Sequence, residues 1–343
     1  MGTGQASRDW SSRRIALESS RLCDKCVERH RCVYPGTEFQ CTDLNIQTGL
    51  AHPSDPRSLD RLGRLGTLHL DVIALPQPHP HLPRFIPLVE PRGVGRLVRE
   101  RFVAVSLKDA FDESGSTRKA LSLRRRLGVN SNSFVLLLCF GRDPLLVRAF
   151  DTLESTVRGI AGGQFDLVTA VGLSQYRSDP PLENLINIRE SLESFHQLQA
   201  HGVTAVPFVA FSNECDVARW ATWLIDNPSV RMVALDFQDA RHRPDWRFVL
   251  GGFRELVDKS PDDIQFLIRG PSSGERIRQL FAITRRLTII NAQPFMKATK
   301  GASLEERRRR QSKTSLFAGW SRFYKGICKA ASTSWGSATA NGG

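Results

Sequence analysis

The chain has 343 residues, and 41% of them are hydrophobic. This length and composition exclude an intrinsically disordered protein and allow one large domain with appendages or two modest domains. No stretch approaches the ~18 apolar residues that would span a bilayer, and the start MGTGQASRDW has no apolar signal-peptide core. We therefore expect a cytoplasmic protein.

The net charge of +13 is concentrated on the flanks of the chain. Residues 1–66 carry 10 basic and 8 acidic side chains, residues 67–133 carry 11 and 6, residues 134–296 carry 17 and 19, and residues 297–343 carry 10 and 2. Basic flanks favour a polyanionic partner such as DNA or RNA, because cationic side chains neutralise phosphates and release counterions. The alternative is a solvated basic tail that only aids solubility.

Composition divides the chain into five segments. Residues 1–22 are polar and predicted to be flexible, residues 23–41 hold a cysteine cluster, and residues 42–66 form a linker rich in Gly, Pro and Asp. Residues 67–298 are predicted to form the main domain. Residues 299–343 are predicted to form a short basic helix and a disordered tail.

Four of the seven cysteines have the spacing C-x2-C-x5-C-x8-C, and these are Cys23, Cys26, Cys32 and Cys41. Without a secretion signal, a metal site is a better interpretation than a disulfide framework, and unrelated or redox-active thiols are the alternative. Zinc and an iron–sulfur cluster both accept four cysteine ligands, so either metal fits. The spacing differs from that of a zinc ribbon and from the C-x3-C-x2-C loop of radical SAM barrels. We expect a structural site that holds the N-terminal extension on the main domain.

From residue 134 onward, apolar runs of strand length alternate with amphipathic runs of helix length, which is typical of a parallel sheet with right-handed crossovers. The predicted strands are Leu68–Leu75, Phe102–Ser106, Phe134–Phe140, Leu167–Gly172, Thr204–Phe211, Arg231–Phe237, Ile264–Ile268 and Leu287–Asn291, with Phe85–Val89 as a further candidate. The predicted helices are Thr117–Leu127, Pro144–Ile160, Leu182–His201, Asp216–Asp226, Trp246–Lys259 and Gly274–Thr284. Eight parallel strands close a barrel, so we predict a (β/α) barrel-like α/β domain that is irregular or incomplete at its N-terminal end. An open doubly wound sheet is the alternative.

In (β/α) barrels the chemistry lies at the C-terminal ends of the strands. The sequence places polar residues after nearly every regular strand, namely Arg142, Asp143, Ser174, Tyr176, Ser212, Asn213, Glu214, Asp236, Gln238, Asp239, Arg269, Asn291 and Gln293. The candidate catalytic residues among them are Tyr176, Asn213, Asp236 and Arg269, which can bind ions or donate protons. The alternative is that several of these residues cap the helices that follow, with Asp143, Ser174, Asn213 and Asp239 as the candidate N-caps.

The segment from Arg269 to Gly274 is the best candidate phosphate-binding site. Its small residues let backbone N–H groups approach an anion at the start of a helix, and Arg269 adds a cation. The candidate phosphate-binding residues are Arg269, Gly270, Ser272, Ser273 and Gly274. The segment is not a P-loop, and the sequence has no HExxH, GxSxG or strand-to-helix GxGxxG motif.

One region of the chain resembles a known family. The sequence FDLVTAVGLSQYRSDPP, a helix containing LINIRESLESF, and then HGVTAVPFVAF resemble a family of phage- and plasmid-borne proteins catalogued as a domain of unknown function. The resemblance covers about residues 134–268, and the matching residues are Ser174, Tyr176, Pro181, Gly202 and Pro207. The family pattern has an acidic residue just before the serine, where this chain has Gly172 and Leu173. The resemblance implies a mobile-element context and no particular activity.

Two functions follow from these features. The first is a phage or mobile-element protein with a structural metal site that contacts DNA or RNA through its basic flanks, chiefly at Arg307, Arg308, Arg309, Arg310 and Lys313. The second is a (β/α) barrel enzyme that acts on a phosphorylated or nucleotide-like substrate at the strand ends. A structural or partner-binding protein is a third alternative.

Overall fold

The computed structural model describes residues 61, 70, 73–76, 79–89, 100–111, 123–126, 132–141, 143–173, 175 and 181–292. The strands among these residues are β1 (Phe85–Pro87), β2 (Phe102–Ser106), β3 (Phe134–Leu138), β4 (Leu167–Thr169), β5 (Ala205–Val206), β6 (Met232–Asp236), β7 (Gln265–Arg269) and β8 (Leu287–Asn291). The helices are α1 (Leu107–Ala110), α2 (Asp143–Asp151), α3 (Leu153–Gly162), α4 (Pro181–Ala200), α5 (Glu214–Asp226), α6 (Arg243–Lys259) and α7 (Gly274–Ile283). Residues 123–126 are also helical.

The strands form two parallel four-stranded sheets, with the orders β1-β8-β7-β6 and β2-β3-β4-β5. Their side chains are almost all buried, as expected for parallel strands that are covered on both faces. Helices follow most of the strands in the chain, so the predicted α/β class is confirmed.

The edges of the two sheets meet at two isolated parallel bridges. Leu88, just after β1, pairs with Ala104 of β2, and Phe208, just after β5, pairs with Ala234 of β6. At the second bridge, the amide of Val209 donates to the carbonyl of Ala234 at 2.8 Å. Both edge strands of one sheet therefore contact edge strands of the other.

Side-chain hydrogen bonds at the end of β4 and a proline after β5 explain why these strands are shorter than predicted. The Thr169 hydroxyl accepts from the amide of Cys139 at 2.8 Å, and the Ser194 hydroxyl accepts from the amide of Val171 at 2.8 Å, so side chains replace ladder partners at the end of β4. Pro207 follows β5 directly and has no N–H to donate, which interrupts that ladder.

The prediction of a strand at Leu68–Leu75 is wrong for its described residues, 70 and 73–75, which are not in a strand. Their backbone groups bond to side chains instead, because the amide of Ala74 donates to Asn227 Oδ1 at 2.8 Å and that of Leu75 donates to Gln199 Oε1 at 3.0 Å. The first strand of the structure is instead β1. It lies within Phe85–Val89, which the sequence offered as a further strand candidate, and it pairs with β8.

The predicted helix Pro144–Ile160 is two helices, α2 and α3, separated by Thr152. Thr152 has φ −120° and ψ 36°, and its hydroxyl donates to the carbonyl of Arg148 at 3.0 Å. The amide of Thr152 donates to the same carbonyl at 3.1 Å, so the helical hydrogen bond is kept and the break consists of the non-helical ψ of Thr152. The sequence offers no Gly or Pro at this position, so the break had no sequence signal.

The segments 1–22, 23–41 and 299–343 lie outside the described residues, and of the linker 42–66 only residue 61 is described. The described part of the predicted helix Thr117–Leu127, residues 123–126, is helical. Within the residues that the structure describes, no helix has the length and apolar character needed to cross a membrane.

Candidate functional site

Asp236 and Arg269 are the last residues of the neighbouring strands β6 and β7, and they are register partners. Their side chains therefore lie on the same face of the sheet. Arg269 Nη1 donates to Asp236 Oδ2 at 3.1 Å, and the two side chains are 15% and 21% exposed, respectively. Two of the four candidate catalytic residues, Asp236 and Arg269, are therefore in contact.

The backbone around this pair fixes the orientation of the carboxylate. Asp236 Oδ1 accepts from the amide of Gln238 at 2.9 Å, which turns the chain directly after β6. The amide of Phe237 donates to the carbonyl of Arg269 at 2.8 Å, and so continues the pairing with β7 past the strand end. One carboxylate oxygen thus holds the turn while the other faces the guanidinium.

Burial raises the pKa of Asp236 above its ordinary value, and the charge of nearby Asp239 adds to this effect. The Arg269 cation and the hydrogen bond from Gln238 lower the pKa, but burial outweighs them. A carboxyl group with a raised pKa can hold a proton closer to neutral pH than an exposed aspartate can. Asp236 therefore suits the role of a general acid or base.

An aromatic pair from the other sheet lies beside Arg269. The Arg269 guanidinium carbon is 6.0 Å from the centre of the Phe140 ring, and Phe140, just after β3, packs against Phe208 at 4.8 Å between ring centres. Gly172 makes room for this packing, since a Cβ there would lie 1.9 Å from Phe208. We call this group of residues at the carboxyl ends of the strands the carboxyl-end face. It consists of Phe140, Phe208, Ser212, Asp236 and Arg269.

The predicted phosphate-binding segment lies next to the Asp236–Arg269 pair. Gly270 has φ +121°, and a Cβ there would lie 2.5 Å from the amide nitrogen of Gln238, so this position requires glycine. Asn291 Nδ2 donates to the carbonyl of Pro271 at 2.5 Å. The Ser273 hydroxyl accepts from the amide of Arg276 at 3.3 Å as the N-cap of α7.

Asn213 is held in a separate hydrogen-bond network after β5. Its Oδ1 accepts from the amide of Asp216 at 3.0 Å as the N-cap of α5, and its Nδ2 donates to Ser212 Oγ at 3.1 Å. The Asp216 carboxylate accepts from the Ser212 hydroxyl at 2.8 Å and from Arg219 at 3.0 Å. The Asn213 hydrogen bonds within the described residues thus support the helix start and do not reach Asp236 or Arg269.

The sequence reasoning did not find Asn184, in the first turn of α4. Its Nδ2 donates to the Ser212 hydroxyl at 2.7 Å, and both residues are buried. The spacing of Asn213 and Asp216 at the start of a helix is typical of an N-cap, but no sequence signal connects Asn184 with Ser212. Asp239 is not the N-cap of α6, because that position belongs to His242.

Several predicted site residues lie outside the described residues. They are Arg142, Ser174, Tyr176, Gln293, the cysteines Cys23, Cys26, Cys32 and Cys41, and the basic residues Arg307, Arg308, Arg309, Arg310 and Lys313. Among the residues that are described, no group of three His, Cys, Asp or Glu side chains is arranged to hold a metal ion. The metal site therefore stays a prediction.

In comparisons with known proteins, no family model and no curated protein matches the chain.

Proposed function

We propose that the chain is a (β/α) barrel enzyme that acts on a phosphorylated or nucleotide-like small molecule at the carboxyl-end face. The observation that carries this proposal is the Asp236–Arg269 pair, which combines a cation with a carboxyl group of raised pKa at the ends of adjacent parallel strands. Active sites of (β/α) barrels are built at this end of the strands.

The strand pairing supports a closed barrel. Besides the ladders within each sheet, the two bridges connect β1 with β2 and β5 with β6, so every strand has a partner on both sides. Applying the register offsets of neighbouring strands once around the eight strands, starting from residue 234, returns to position 226, which is eight residues earlier in the chain. A stagger of eight residues is the shear of (β/α)8 barrels.

The same register supports a shared face for Phe208 and Asp236. Phe208 pairs with Ala234, which is two residues before Asp236, and side chains two residues apart share a face. Contact between Arg269 and Phe140 fits this arrangement, because β7 and β3 are then opposite one another in the ring. In a closed barrel, Arg269 points over the interior at the carboxyl-end face.

Arg269 and Asp236 have complementary roles in the proposed site. The guanidinium binds an anionic oxygen of the substrate, and backbone N–H groups in the first turn of α7 add donors. When a bound anion pairs with the Arg269 guanidinium, that cation lowers the pKa of Asp236 less strongly. The carboxyl group then binds its proton more tightly. Asp236 can then transfer this proton to or from the bound molecule.

The test is the binding of inorganic pyrophosphate to the full chain, measured by isothermal titration calorimetry. We expect binding to weaken about tenfold or more in Arg269→Ala, because a charge-assisted contact is lost. Arg231→Ala is the matched control, since Arg231 also pairs with an aspartate, Asp263, but precedes β6 at the opposite end of the strand. Equal affinity of the wild type and Arg269→Ala would reject the site.

A second function is favoured by charge alone. Residues 297–343 carry 10 basic and 2 acidic side chains, which supports contact with DNA or RNA in a mobile-element context. A salt titration of DNA and RNA binding tests this function. Absence of affinity at low ionic strength would reject it.

The spacing of Cys23, Cys26, Cys32 and Cys41 supports a structural metal site at the N-terminus. Metal analysis and an absorption spectrum of anaerobically purified protein test this part of the proposal. One zinc per chain without colour indicates a zinc site, and a brown protein with absorbance near ~400 nm indicates an iron–sulfur cluster.

A further inference from the structure

Arg276 connects the two loops that carry the candidate site. It lies in the first turn of α7, where its amide donates to Ser273 Oγ, so its backbone is fixed next to the predicted phosphate-binding segment. Its side chain reaches the β6–α6 loop, which consists of residues 237–242. Nη1 donates to the carbonyl of Ala240 and Nη2 donates to that of Arg241, both at 2.7 Å. Two donors on one planar guanidinium fix both the distance and the direction between α7 and this loop.

The same guanidinium packs on a buried aromatic pair that adjoins Asp236. Its carbon lies 4.7 Å from the centre of the Trp246 ring, and Trp246 is 5% exposed. Trp246 makes an edge contact with Phe237 at 6.2 Å between ring centres, and Phe237 directly follows Asp236 in the chain. The Trp246 ring is fixed as well, because its Nε1 donates to Gln279 Oε1 on α7 at 2.6 Å. Arg276 therefore contacts the surroundings of Asp236 by a second, aromatic route.

The β6–α6 loop supplies groups that surround the Asp236 carboxyl. The amide of Gln238 donates to Asp236 Oδ1 at 2.9 Å, and the charge of Asp239 acts on the same carboxyl group. The loop after β7 packs tightly against this segment, since a Cβ at Gly270 would lie 2.5 Å from the amide nitrogen of Gln238. The β6–α6 loop therefore has no room to move toward β7. If it is released, it moves outward and admits water to the carboxyl group.

Hydrogen bonds within the loop connect the Arg276 contacts to these groups. The amide of Arg241 donates to the carbonyl of Asp239 at 2.7 Å, and the amide of Ala240 donates to the carbonyl of Phe237 at 3.3 Å. The two residues whose carbonyls accept from Arg276 are thus bonded through their amides to the residues nearer the strand end. Loss of the guanidinium contacts is expected to loosen the loop as a unit.

We propose that Arg276 is a positioning residue of the candidate site, whose guanidinium holds the β6–α6 loop against α7 and thereby keeps the Asp236 carboxyl buried beside Arg269. Both Nη atoms of Arg276 are used on carbonyls, so its role is one of position and not of substrate contact. The assignment rests on the proposed function, because it concerns the same site. The effect on the loop is nevertheless measurable without a ligand.

Position and charge predict opposite effects of removing Arg276. Loss of a nearby cation raises the pKa of a carboxyl group, whereas access of water lowers a pKa that burial has raised. Burial is the largest cause of the raised pKa of Asp236, and the charges that act on it are those of Arg269 and Asp239. The hydrogen bond from Gln238 has a smaller effect than burial. Release of the loop in Arg276→Ala is therefore expected to lower the pKa of Asp236.

Two measurements on the full chain without ligand test the positioning role. Carbon-13 NMR of labelled aspartate carboxyl groups is expected to show that Arg276→Ala lowers the pKa of Asp236 toward its ordinary value. Arg276→Lys is a milder variant that keeps the cation but not the planar fork, and it is expected to act in the same direction. Hydrogen exchange at the Gln238 amide is expected to be about tenfold faster in Arg276→Ala, because the loop opens more often. A pKa that is unchanged or raised in both variants, or unchanged exchange, would overturn the role.

Arg286→Ala is the matched control. Arg286 also donates to a backbone carbonyl, that of Pro261 at 2.9 Å, and its guanidinium carbon lies 6.0 Å from the centre of the Phe266 ring. It directly precedes β8, however, and so lies at the opposite end of the strands. Its removal is expected to leave the pKa of Asp236 and the exchange of the β6–α6 loop unchanged. Equal effects of both substitutions would show a general loss of stability and would overturn the role of Arg276.

The link to ligand binding is measured with inorganic pyrophosphate by isothermal titration calorimetry. We expect Arg276→Ala to weaken binding about threefold or more, because a loosened loop must be ordered when the ligand binds. Equal affinity of Arg276→Ala and the wild type would overturn the link between the loop and the ligand. Absence of pyrophosphate binding in the wild type would instead reject the proposed function, whereas the pKa and exchange measurements decide the effect of Arg276 on Asp236 in either case.

Discussion

The guanidinium carbon of Arg269, the last residue of β7, lies 6.0 Å from the centre of the ring of Phe140, which follows β3 of the other four-stranded sheet. Phe140 also packs against Phe208, which forms one of the two bridges between the sheets. The charged part of the carboxyl-end face and the junction of the sheets are therefore connected through one aromatic pair. Substitutions that change the packing of Phe140 against Phe208 are expected to affect both the position of Arg269 and the junction of the sheets.

Gly172→Ala is expected to destabilise the fold by about 1–3 kcal/mol, because the added Cβ would lie 1.9 Å from Phe208. Urea denaturation measures the free energy of unfolding. Phe208→Ala removes the Cγ, Cδ1 and Cε1 atoms that the new Cβ would overlap, so the effects of the two substitutions are expected to be non-additive in a double-mutant cycle. Additive effects would show that the overlap with Phe208 is not the cause.

Gly270→Ala is expected to lower the free energy of unfolding by about 1–3 kcal/mol, since φ +121° is strained for alanine and the Cβ would meet Gln238. Gly251→Ala on α6 is the control. A Cβ at Gly251 meets nothing within 4 Å, and alanine in a helix is more stable than glycine by about 0.5–1 kcal/mol. Opposite shifts in the melting temperature are expected, and a stabilising Gly270→Ala would contradict the loop geometry.

Asp216→Ala is expected to destabilise the fold by about 3 kcal/mol, because the Asp216 carboxylate is buried and accepts hydrogen bonds from Ser212 and Arg219. Glu154→Ala removes an exposed carboxylate that pairs with Arg158 on α3, and it is expected to change stability by less than about 0.5 kcal/mol. Chemical denaturation of both variants checks the difference. Similar small effects would mean that the network after β5 adds little to stability.

Asp236 is expected to make stability depend on pH in a particular direction. Its pKa is raised in the folded state, so the folded protein binds the proton more tightly than the unfolded chain does. The resulting stabilisation is fully present below the ordinary aspartate pKa of about 4 and is lost as the pH rises through the raised pKa. Asp236→Asn removes this contribution.

Denaturation of the wild type and of Asp236→Asn across this pH range measures the effect. The stability of the wild type relative to Asp236→Asn is expected to fall as the pH rises from about 4 toward neutral. A relative stability that rises with pH would mean that the Arg269 cation outweighs burial and that the pKa is lowered.

Periodicity predicted the regular part of the fold well. The bounds of β2 and β8, Phe102–Ser106 and Leu287–Asn291, are those expected from the sequence, because each is a short run rich in strand-forming residues that directly follows an arginine. Helices α4 to α7 likewise begin and end within three residues of their predicted limits. In these elements, the local hydrophobic pattern and the tertiary packing favour the same structure.

The deviations arise where side chains compete with backbone pairing. The sequence around Ala74 is typical of a strand, but the amides of Ala74 and Leu75 donate to the side chains of Asn227 and Gln199. These partners are distant in sequence, so periodicity cannot reveal them.

The sequence names Asp236 and Arg269 together because polar residues at the ends of apolar parallel strands converge on one edge, and the structure brings these two side chains into contact. Asn213 proved to be a helix cap, which was the stated alternative.

The central claim, that Asp236 and Arg269 form one ligand site, is tested most directly by carbon-13 NMR of the full chain labelled at aspartate carboxyl groups, with Asp236→Asn to assign the signal. The pKa of Asp236 is expected to lie above the ordinary aspartate value. It is expected to rise further when inorganic pyrophosphate is added, because the ligand pairs with the Arg269 guanidinium and weakens the effect of that cation on Asp236. An ordinary pKa that pyrophosphate leaves unchanged would contradict the claim.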